Sequence, residues 1–441
     1  TRLETLYGRA SGKEEIRMSS NMRVGLAGLG TVGATVAARL LQGAVPRAEL
    51  VAVSARDVKK DRGVDLSGVD FVATPLDLVS HDKVDVVVEL IGGENGIALE
   101  LVAAALEKGA PVVTANKAML ASHAAHLSDL SVSGDVPLAF EAAVAGGIPV
   151  VKTVREGLAG NDIQRLCGIL NGTCNYVLSR MEAAGLSFED ALKEAQEKGF
   201  AEADPTLDVS GMDAGQKLAI LSALAYGVAP NMDNIAVRGI EAVTAADIAF
   251  ADAFDSVIRL VGLAERSGNG VYHSVEPVLV KKAHPLAQVV NELNAVSISA
   301  VPLGGVMLQG PGAGGGATAS AVLADIADIA SGFGRPLFDN TVAAMTESAS
   351  PNAPAREFYI RLALADRPGS MAKATQILAE NGVSIEEVVQ RSSEAGDRHL
   401  PVVFITHKTE SEALEAALIA LQQQSEICGT VLALPVFAEE D

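Results

Sequence analysis

Residues 23–33 read RVGLAGLGTVG, a short apolar strand pattern followed by Gly28, Gly30 and Gly33 in the spacing G-x-G-x-x-G. A helical pattern, ATVAARLLQG, comes next, and a second apolar strand pattern follows at 50–54. Such glycines permit a tight turn and let backbone N–H groups meet a pyrophosphate at a helix start. In this strand–turn–helix context the motif predicts a Rossmann-type, doubly wound α/β domain that binds a dinucleotide. The alternative is a purely structural turn.

The end of the second strand discriminates between the two nicotinamide dinucleotides. An NAD site usually has Asp or Glu there to hold the ribose 2′-hydroxyl. This chain instead has Arg56, with Lys59 and Lys60 close behind it. Cationic side chains suit a 2′-phosphate, so the sequence favours NADP(H) over NAD(H). The alternative is that these are solvated loop charges, and the neighbouring Asp57 weakens the prediction.

Two more apolar strand patterns continue the parallel sheet. Residues 84–91 (VDVVVELI) and 111–114 flank a helical pattern over 97–108. Continuous apolar runs of this kind are typical of strands buried on both faces. The second strand runs into Lys117, and ligands of open α/β sheets lie beyond the carboxyl ends of the strands. Lys117 is therefore predicted to face the nicotinamide.

An acid-rich stretch at 199–221, GFAEADPTLDVSGMDAGQKLAIL, carries charged residues just before an almost wholly apolar run. They are Glu202, Asp204, Asp208, Asp213 and Lys217. A helix that is apolar on nearly every side belongs in the interior, where charges are rare unless paired or functional. Lys217 is therefore predicted to lie in an active site at the start of a buried helix. The alternative is an ordinary capping box of Ser210 and Asp213, with Asp213 and Lys217 as an i,i+4 ion pair.

Glu141 is the one charged residue in the apolar stretch 138–150, LAFEAAVAGGIPV. A buried carboxylate needs a partner. It is either a hydrogen-bonded acid or the charged ligand of a cation that backbone carbonyls otherwise hold. The residues alone leave both interpretations open.

From about 147 to 304 the pattern changes to amphipathic helices and alternating strands, which predicts an α+β catalytic and dimerisation domain. Its turn at 171–173 opens a helix whose first N–H groups are suited to a carboxylate. A glycine-rich loop and helix follow at 310–332 without the Lys-Ser/Thr ending of a phosphate loop. We expect that helix to pack on the dinucleotide-binding domain, which then spans 22–146 plus about 305–332.

Three segments lie outside the two main domains: an N-terminal extension, a linker and a C-terminal tail. Residues 1–21 are polar and are predicted to be a disordered extension. Residues 333–356 are rich in Pro, Ser, Ala and Asn and are predicted to be a linker. Residues 357–441 show the order strand, helix, strand, strand, helix, strand, and βαββαβ is the order of a ferredoxin-like sandwich.

The composition narrows the classes of function. With 441 residues, 49% of them hydrophobic and 20% charged, the chain is predicted to form several globular domains. A net charge of −21 argues against nucleic acid and anionic membranes as partners. No apolar run is long enough to span a bilayer, and the start lacks the apolar core of a signal peptide. Three scattered cysteines, Cys167, Cys174 and Cys428, suit a reducing cytoplasm, and we interpret Cys174 as a packing residue.

Five motifs together resemble the homoserine dehydrogenases, in the bacterial form that carries a C-terminal ACT regulatory domain. They are GLGTVG, VTANK, EAAVAGGIPV, NGTCNY and EADPTLDVSGMDAGQK, and the resemblance covers roughly residues 22–441. That family interconverts L-aspartate 4-semialdehyde and L-homoserine with NAD(P)(H), on the route to threonine and methionine. The resemblance implies a homodimer or homotetramer.

The resemblance also implies roles at the catalytic centre. Lys217 matches the family's catalytic lysine, which donates a proton to the aldehyde oxygen, and Lys117 matches a second lysine that touches cofactor and substrate. The implied substrate-binding residues are Glu202 at the amine, with Asp208, Asp213, Gly172 and Thr173. The implied cofactor-binding residues are Gly28, Leu29, Gly30, Thr31, Val32, Gly33, Arg56 and Lys117.

Two further sites follow from the same resemblance. Glu141 and the carbonyls of Val144, Gly146 and Ile148 are similar to a monovalent-cation site, with sodium as the expected ion. The tail resembles an ACT amino-acid site for which threonine is the family's usual inhibitor. Its implied residues are Asp366, Gly369, Asn381 and Val383.

Two other classes of function remain as alternatives. One is a different NAD(P)-dependent reductase acting on an amino-acid backbone, such as a saccharopine-type enzyme. The acid-rich stretch before Lys217 counts against it. The other is a non-catalytic amino-acid sensor, and the presence of both lysines, Lys117 and Lys217, counts against that.

Overall fold

The computed structural model describes residues 21–268, 270–338, 353–391 and 399–437. Three sheets of six, six and four strands organise them. The predicted fold class is confirmed: a Rossmann-type α/β unit, a second α+β unit and a ferredoxin-like βαββαβ tail. Within the described ranges, no helix is both long and apolar enough to cross a membrane.

The first sheet is parallel throughout and has the strand order β3-β2-β1-β4-β5-β6. Chain order therefore reverses between β1 and β4, which is where doubly wound sheets bind their ligands. Its strands are β1 (Met22–Ala27), β2 (Ala48–Ser54), β3 (Asp70–Phe71), β4 (Val86–Glu89), β5 (Val112–Thr114) and β6 (Leu138–Ala139). Its helices are α1 (Thr31–Leu41), α2 (Asp77–Ser80), α3 (Ile97–Glu107) and α4 (Lys117–Ser133).

Each glycine of the turn between β1 and α1 is required for a different steric reason. Gly28 has a φ of +97°, and a Cβ there would lie 2.4 Å from the carbonyl oxygen of Leu90. A Cβ on Gly33 would lie 1.9 Å from the carbonyl oxygen of Gly28. Gly30 faces open space, so a pyrophosphate can approach its backbone. The predicted turn into α1 is thus present, with each glycine in a position that a larger residue would block.

The second sheet has the order β12-β11-β7-β9-β10-β8 and is largely antiparallel. Its strands are β7 (Asp162–Ile169), β8 (Ala236–Val237), β9 (Ser256–Ser267), β10 (Gly270–Lys281), β11 (Leu293–Val301) and β12 (Gly304–Pro311). The helices are α5 (Val150–Lys152) with a π-helical turn (Thr153–Gly157), α6 (Gly172–Ala184), α7 (Phe188–Glu197), α8 (Thr206–Val209), α9 (Met212–Tyr226) and α10 (Ala245–Ala253). Short 3₁₀ turns lie at Glu141–Ala143, Met232–Asn234 and Pro285–Gln288.

The sequence pattern at 278–281 (VLVK) predicts only the end of β10, and the rest of the hairpin of β9 and β10 carries no recognisable strand pattern. Both strands are buried over nine or more consecutive residues. Because both faces are covered, the alternation of apolar and polar residues that marks a half-buried strand is lost.

The return to the first domain begins later than predicted. Residues from about 305 were expected to rejoin it, but β12 pairs with β11 in the second sheet. Only the next helix, α11 (Gly315–Ala330), packs against α1. At that contact a Cβ on Gly315 would lie 2.8 Å from Cγ2 of Thr31, so the two helices approach closely.

The tail forms an antiparallel sheet in the order β14-β15-β13-β16. Its elements are β13 (Phe358–Ala365), α12 (Ser370–Glu380), β14 (Ile385–Gln390), β15 (His399–Thr406), α13 (Ser411–Gln422) and β16 (Ile427–Pro435). The two helices cover one face, and the other docks on the second domain. There the hydroxyl of Tyr359 donates to Asp247 at 2.7 Å, and Nε of Arg361 lies 2.7 Å from the same carboxylate.

Parts of three predicted segments fall outside the described residues. They are 1–20 of the predicted extension, 339–352 of the predicted linker, and 392–398 and 438–441 of the tail.

Candidate active site

A cavity of about 150 Å³ opens beside the glycine turn, at the carboxyl ends of β4 and β5. Its lining residues are Val32, Glu89, Leu90, Ile91, Gly92, Ala115 and Asn116. Asn116 directly precedes Lys117, so the cavity extends from the predicted dinucleotide turn to the predicted active-site lysine. This is the crevice in which the fold predicts a nicotinamide.

The wall of that cavity is held by a buried carboxylate that the sequence analysis missed. Glu89 is fully buried, and its Oε1 accepts hydrogen bonds from the N–H groups of Ile91 at 2.7 Å and Gly92 at 2.9 Å. Thr114 Oγ1 donates to the other oxygen at 2.5 Å. The carboxylate therefore fixes the loop after β4 against β5. One acid in an otherwise apolar strand was the available signal, as it was for Glu141.

Two lysines share a single carboxylate next to this cavity. Lys217 Nζ lies 2.7 Å from Oδ2 of Asp213, and Lys117 Nζ lies 3.0 Å from Oδ1. Asp213 and Lys217 lie on α9, whereas Lys117 begins α4, and the two helices pack together. The structure therefore brings together two lysines that are 100 positions apart in the sequence. The sequence motifs predict each lysine as a site residue, but not that the two share one carboxylate.

Burial and charge act in opposite directions on this group. The side chains of Asp213 and Lys217 are 9% and 11% exposed, and that of Lys117 is 38% exposed. Burial would raise the pKa of Asp213, but the two ammonium groups outweigh it and hold this pKa well below its usual range. Burial would lower the pKa of Lys117, but the nearby carboxylates, Asp213 foremost, raise it. Asp213 is thus ionised and Lys117 protonated at neutral pH.

Lys217 has a second acceptor in the backbone. Its Nζ donates to the carbonyl of Leu170, at the end of β7, at 2.8 Å. An ammonium has three N–H groups, and no third acceptor for Lys217 occurs among the described residues. One N–H is therefore available to a bound molecule.

The turn before α6 joins the same cluster. Asn171 caps α6 by accepting from the N–H of Cys174 at 2.8 Å, and its Nδ2 donates to Asp208 at 2.7 Å and Asp213 at 2.8 Å. Thr173 Oγ1 donates to Asp208 at 3.3 Å and to the carbonyl of Phe200 at 2.7 Å. Burial raises the pKa of Asp208, although Asn171 opposes this. The sequence analysis had marked Asn171 as a turn residue but not as a site residue.

Glu202 lies further out than the other predicted substrate residues. It is exposed, and its charge is one of the weaker contributions that raise the pKa of Lys117. The capping-box part of the alternative is wrong, because the residue that precedes α9 is Gly211, with a φ of +84°, and no side chain of the described residues caps the helix. Its other part, the i,i+4 pair of Asp213 and Lys217, is present. Asp213 binds Lys117 as well.

The predicted cofactor-binding residues lie around the glycine turn. Gly30 and Thr31 are exposed at the start of α1, Leu29 is 6% exposed, and Arg56, Lys59 and Lys60 are exposed on the loop after β2. Arg62 was missed: its Nε donates to the carbonyl of Leu29 at 3.1 Å and its NH1 to the carbonyl of Lys60 at 2.7 Å. It holds the basic loop against the glycine turn.

Glu141 lies in a second buried acidic cluster. Its two carboxylate oxygens accept from the N–H groups of Val151 and Lys152, each at 2.9 Å, and its own N–H donates to Asp325 at 2.9 Å. Lys152 Nζ lies 3.4 Å from Asp325 and 2.7 Å from Asp328. Burial raises the pKa of Glu141 to about 7 and that of Asp325 to about 6. Both carboxylate oxygens of Glu141 are thus hydrogen-bonded, as the first interpretation predicts, and the cation interpretation stays a prediction.

The predicted cation site has mixed features. Within the described ranges, no hydrogen-bond donor reaches the carbonyls of Val144 and Gly146, whereas that of Ile148 accepts from the N–H of Val150 at 2.7 Å. No group of three or more His, Cys, Asp or Glu side chains there is arranged for a metal ion. The carbonyls of Val144 and Gly146 and the carboxylate of Glu141 are thus available as ligands of a cation.

The four predicted regulatory residues are not brought together within one chain. Asp366 is exposed and Gly369 immediately precedes α12, whereas Asn381 and the buried Val383 follow its last turn. Eleven helical residues place those ends about 16 Å apart.

Cys174 lies beside the cluster as a neutral thiol. It is buried, and its Sγ donates to the carbonyl of Asp208 at 3.1 Å. Burial raises its pKa well above the usual range. This supports the interpretation of Cys174 as a packing residue.

A glycine turn for a dinucleotide, two lysines on one buried carboxylate near the adjacent cavity and a ferredoxin-like tail define a nicotinamide-dependent oxidoreductase with an appended regulatory domain. Three family profiles match the chain: "Homoserine dehydrogenase, NAD binding domain" at 28–141, "Homoserine dehydrogenase" at 149–327 and "ACT domain" at 358–425.

Individual relatives agree with those profiles. The chain is 37% identical to a homoserine dehydrogenase of Pseudomonas aeruginosa, over 94% of this chain and 98% of that protein. It is 38% identical to one of Neisseria gonorrhoeae, over 91% and 95%. A crystal structure from Thiobacillus denitrificans superposes with a TM-score of 0.87 at 35% identity, over 95% of this chain and 98% of that one. A hyperthermophilic archaeal homoserine dehydrogenase in complex with NADPH matches with a TM-score of 0.61 at 29% identity, over 72% and 99%.

The chain belongs to the homoserine dehydrogenase family. It is an NAD(P)-dependent oxidoreductase acting on a CH–OH group, which interconverts L-aspartate 4-semialdehyde and L-homoserine. The saccharopine-type reductase and the non-catalytic sensor are not favoured.

Proposed function

We propose that Lys217 donates the proton to the aldehyde oxygen of aspartate 4-semialdehyde and that Lys117 orients substrate and cofactor. The alternative assignment exchanges the two roles. The observation that supports a joint role is the carboxylate of Asp213, which holds both ammonium groups within 3.0 Å. A structural ion pair with Asp213 needs only one lysine. The second lysine, Lys117, comes from the other domain, and a joint role in a reaction between the two domains explains why it is there.

The chemistry requires positive charge at one oxygen. The nicotinamide, when bound, supplies the hydride to the carbonyl carbon. Negative charge then grows on the carbonyl oxygen, and an ammonium group nearby stabilises the transition state more than the ground state. The free N–H of Lys217 is suited to this oxygen, while its bonds to Asp213 and Leu170 fix the direction of the side chain. In the reverse direction the neutral amine accepts the proton.

The substrate's own charges match the remaining side chains. Glu202 binds the α-ammonium, with Asp208 and Asp213 contributing negative charge, and the first N–H groups of α6 at Gly172 and Thr173 bind the carboxylate. Glu202→Leu should raise KM for homoserine about tenfold and change kcat little. Glu197→Leu, an exposed acid at the end of α7, is the control and should leave KM unchanged. An unaltered KM in Glu202→Leu would remove the amine-binding role.

The cofactor proposal is NADP(H) in preference to NAD(H). Arg56, Lys59 and Lys60 are exposed near the glycine turn, and Arg62 holds their loop there. The archaeal relative was crystallised with NADPH. The ratio of kcat/KM for NADPH to that for NADH should exceed one and fall about tenfold in Arg56→Ser. A ratio below one in the unmodified protein would contradict the preference.

The cation proposal is sodium at Glu141. A monovalent cation beside this carboxylate, with the carbonyls of Val144, Gly146 and Ile148, would offset the burial that raises its pKa to about 7. The carbonyls of Val144 and Gly146 support this, whereas that of Ile148 would have to exchange its hydrogen bond. A sodium titration of thermal stability, described in the Discussion, is the test.

The regulatory proposal is threonine bound by the tail of two copies. The residues before and after α12 are about 16 Å apart, which is too far for one small amino acid to contact both. A second copy would bring its Asn381 end to the Asp366 end, so the protein is proposed to be a homodimer or homotetramer. Asn381→Ala should weaken inhibition by threonine without changing kcat. Equal inhibition curves would contradict this site.

The proposed location is the cytoplasm. The three cysteines are free thiols, and free thiols persist in a reducing compartment.

A further inference from the structure

Asn294, near the start of β11, has a carboxamide without a visible partner. The residue is 1% exposed, and neither its Nδ2 nor its Oδ1 finds a hydrogen bond among the described residues. Burial of an unpaired amide is unfavourable, and native proteins retain few such groups. An apolar side chain of similar size would fill the same space without that penalty, so the polar atoms call for an explanation.

The carboxamide lies between two backbone segments that the reaction brings together. We call residues 310–316 (GPGAGGG) the glycine loop. A Cβ on Gly312 of this loop would lie 2.0 Å from Cγ of Asn294. A Cβ on Gly172, in the first turn of α6, would lie 3.4 Å from its Oδ1. The carboxamide therefore lies against both the start of α6 and the glycine loop, and its atom nearest Gly172 is the oxygen Oδ1.

The glycine loop connects this point to the rest of the site. A Cβ on Gly146, in the proposed cation loop, would lie 2.4 Å from the carbonyl oxygen of Gly312. Gly315 packs on Thr31 of the dinucleotide turn, as described above. The glycine loop is therefore packed on the proposed cation loop at Gly312 and on the dinucleotide turn at Gly315.

The start of α6 is held to β11 as one unit. Nδ2 of Asn175, in the first turns of α6, donates to the carbonyls of Asn291 at 2.9 Å and Leu293 at 3.1 Å. These carbonyls belong to the residues just before Asn294. The helix start and the carboxamide thus keep a fixed relative position.

We propose that Asn294 is a positioning residue for the carboxylate of the substrate. It holds Gly172 against the glycine loop at the distance at which the first N–H groups of α6 receive the carboxylate, and its amide gains its hydrogen bonds only when the carboxylate, with any water it carries, is bound. A helix start favours an anion, and the amide offers it N–H donors once a half-turn of the carboxamide brings Nδ2 in place of Oδ1 to the side of Gly172. This inference rests on the proposed substrate orientation and adds a residue to it.

The test uses two variants of the full chain. Asn294→Asp keeps the size of the side chain but replaces the donors with a negative charge, and Asn294→Ala removes the amide without adding bulk. Ile298→Val, on the same strand and fully buried, is the matched control for disturbance of β11. KM for aspartate 4-semialdehyde, KM for NADPH, kcat and Tm are measured for each.

KM for aspartate 4-semialdehyde should rise at least fivefold in Asn294→Ala and further in Asn294→Asp, because the new carboxylate repels that of the substrate. KM for NADPH should stay within twofold, and the rise in Asn294→Asp should shrink as the pH falls and the new carboxylate is protonated. A merely structural role of Asn294 would lower Tm and leave the ratio of KM for the semialdehyde to KM for NADPH unchanged.

Three results would overturn the inference. They are a KM for the semialdehyde within twofold of the unmodified protein, an equal rise for both substrates, or failure of both Asn294 variants to fold while Ile298→Val folds. If the unmodified chain did not reduce the semialdehyde at all, the proposed function would fail instead, and the two failures are thus distinguishable.

Discussion

Two buried carboxylate clusters of this protein, at Asp213 and at Glu141, have opposite electrostatics. Asp213 has two lysines within 3.0 Å, and its pKa is held well below the usual range. Among the described residues, only backbone N–H groups donate hydrogen bonds to Glu141, because Lys152 pairs with Asp325 and Asp328, and burial raises the pKa of Glu141 to about 7. Burial is similar, so the number of adjacent cations decides the charge of each carboxylate.

The difference has a functional meaning. Asp213 has two ammonium partners, that of the buried Lys217 and that of the partly exposed Lys117. Glu141 carries a charge without a matching cation, which is the condition under which a bound ion adds stability. The two acids also respond to pH with opposite sign. The contribution of Asp213 to stability is present above its unfolded pKa and is lost as the pH falls, whereas that of Glu141 becomes unfavourable as the pH rises towards 7.

The largest expected effect is at Lys217, the proposed proton donor. Lys217→Ala should lower kcat by about 10²–10⁴ at saturating substrate, because positioned proton transfer is typically worth that factor. Lys198→Ala is the control, since this lysine is exposed and pairs with Glu194, and kcat should be unchanged. A loss below about tenfold in Lys217→Ala would remove its assignment as the acid.

Loss of the shared carboxylate should have the next largest effect. Asp213→Asn leaves two ammonium groups near each other without their counter-charge, and burial then lowers the pKa of Lys117, which Asp213 raises. We expect kcat/KM for the semialdehyde to fall by about 10–10², and its decline at alkaline pH to begin at lower pH. Asp204→Asn, an exposed acid of the same stretch, should be within twofold of the unmodified protein. If kcat/KM of Asp213→Asn began to decline at the same alkaline pH as that of the unmodified protein, the electrostatic role of Asp213 would be contradicted.

A smaller effect is expected from sodium at the second cluster. The folded pKa of Glu141 lies above its ordinary 4.5, so the folded state retains a proton that the unfolded chain releases, and stability falls as the pH rises from about 4.5 to about 7. Sodium chloride should therefore raise Tm more than choline chloride does at pH 8.5, by a few degrees, and little at pH 5.5. Glu141→Gln should abolish the difference. Equal sodium effects at both pH values would contradict the cation proposal.

The smallest effect concerns another buried acid, Asp247, where the tail docks. It is fully buried and accepts from Tyr359, while Arg361 supplies one cation. Tyr359→Phe removes a hydrogen bond to a charged group, worth about 1.5–3 kcal/mol. Thermal unfolding should show a lower Tm, with kcat within twofold. An unchanged Tm would show that this contact does not hold the tail.

Most of the fold followed from local patterns. The glycine turn, the parallel strands and the βαββαβ tail each carry a signal within about 30–80 residues. The β9–β10 hairpin did not, because burial on both faces removes the alternation. The return of the chain at α11 rather than at 305 depends on pairing between β11 and β12, which no local pattern records.

The site was predictable in its residue types and less so in its contacts. Lys117 and Lys217 were each identified from sequence context, but their common partner Asp213 emerged only when α4 and α9 were packed together. Asn171, Glu89 and Arg62 were missed because their roles are hydrogen bonds to residues distant in sequence. Short polar side chains that act through tertiary contacts carry no periodic signal.

Chemical rescue of Lys217→Ala is the most direct measurement of the central claim. Methylammonium should raise kcat of this variant at least tenfold, because a small amine can occupy the space beside Asp213 and supply the missing N–H. Lys117→Ala should show no comparable rescue of kcat. Rescue of Lys117→Ala alone would reverse the assignment, and near-normal turnover of Lys217→Ala without added amine would contradict the account of proton transfer.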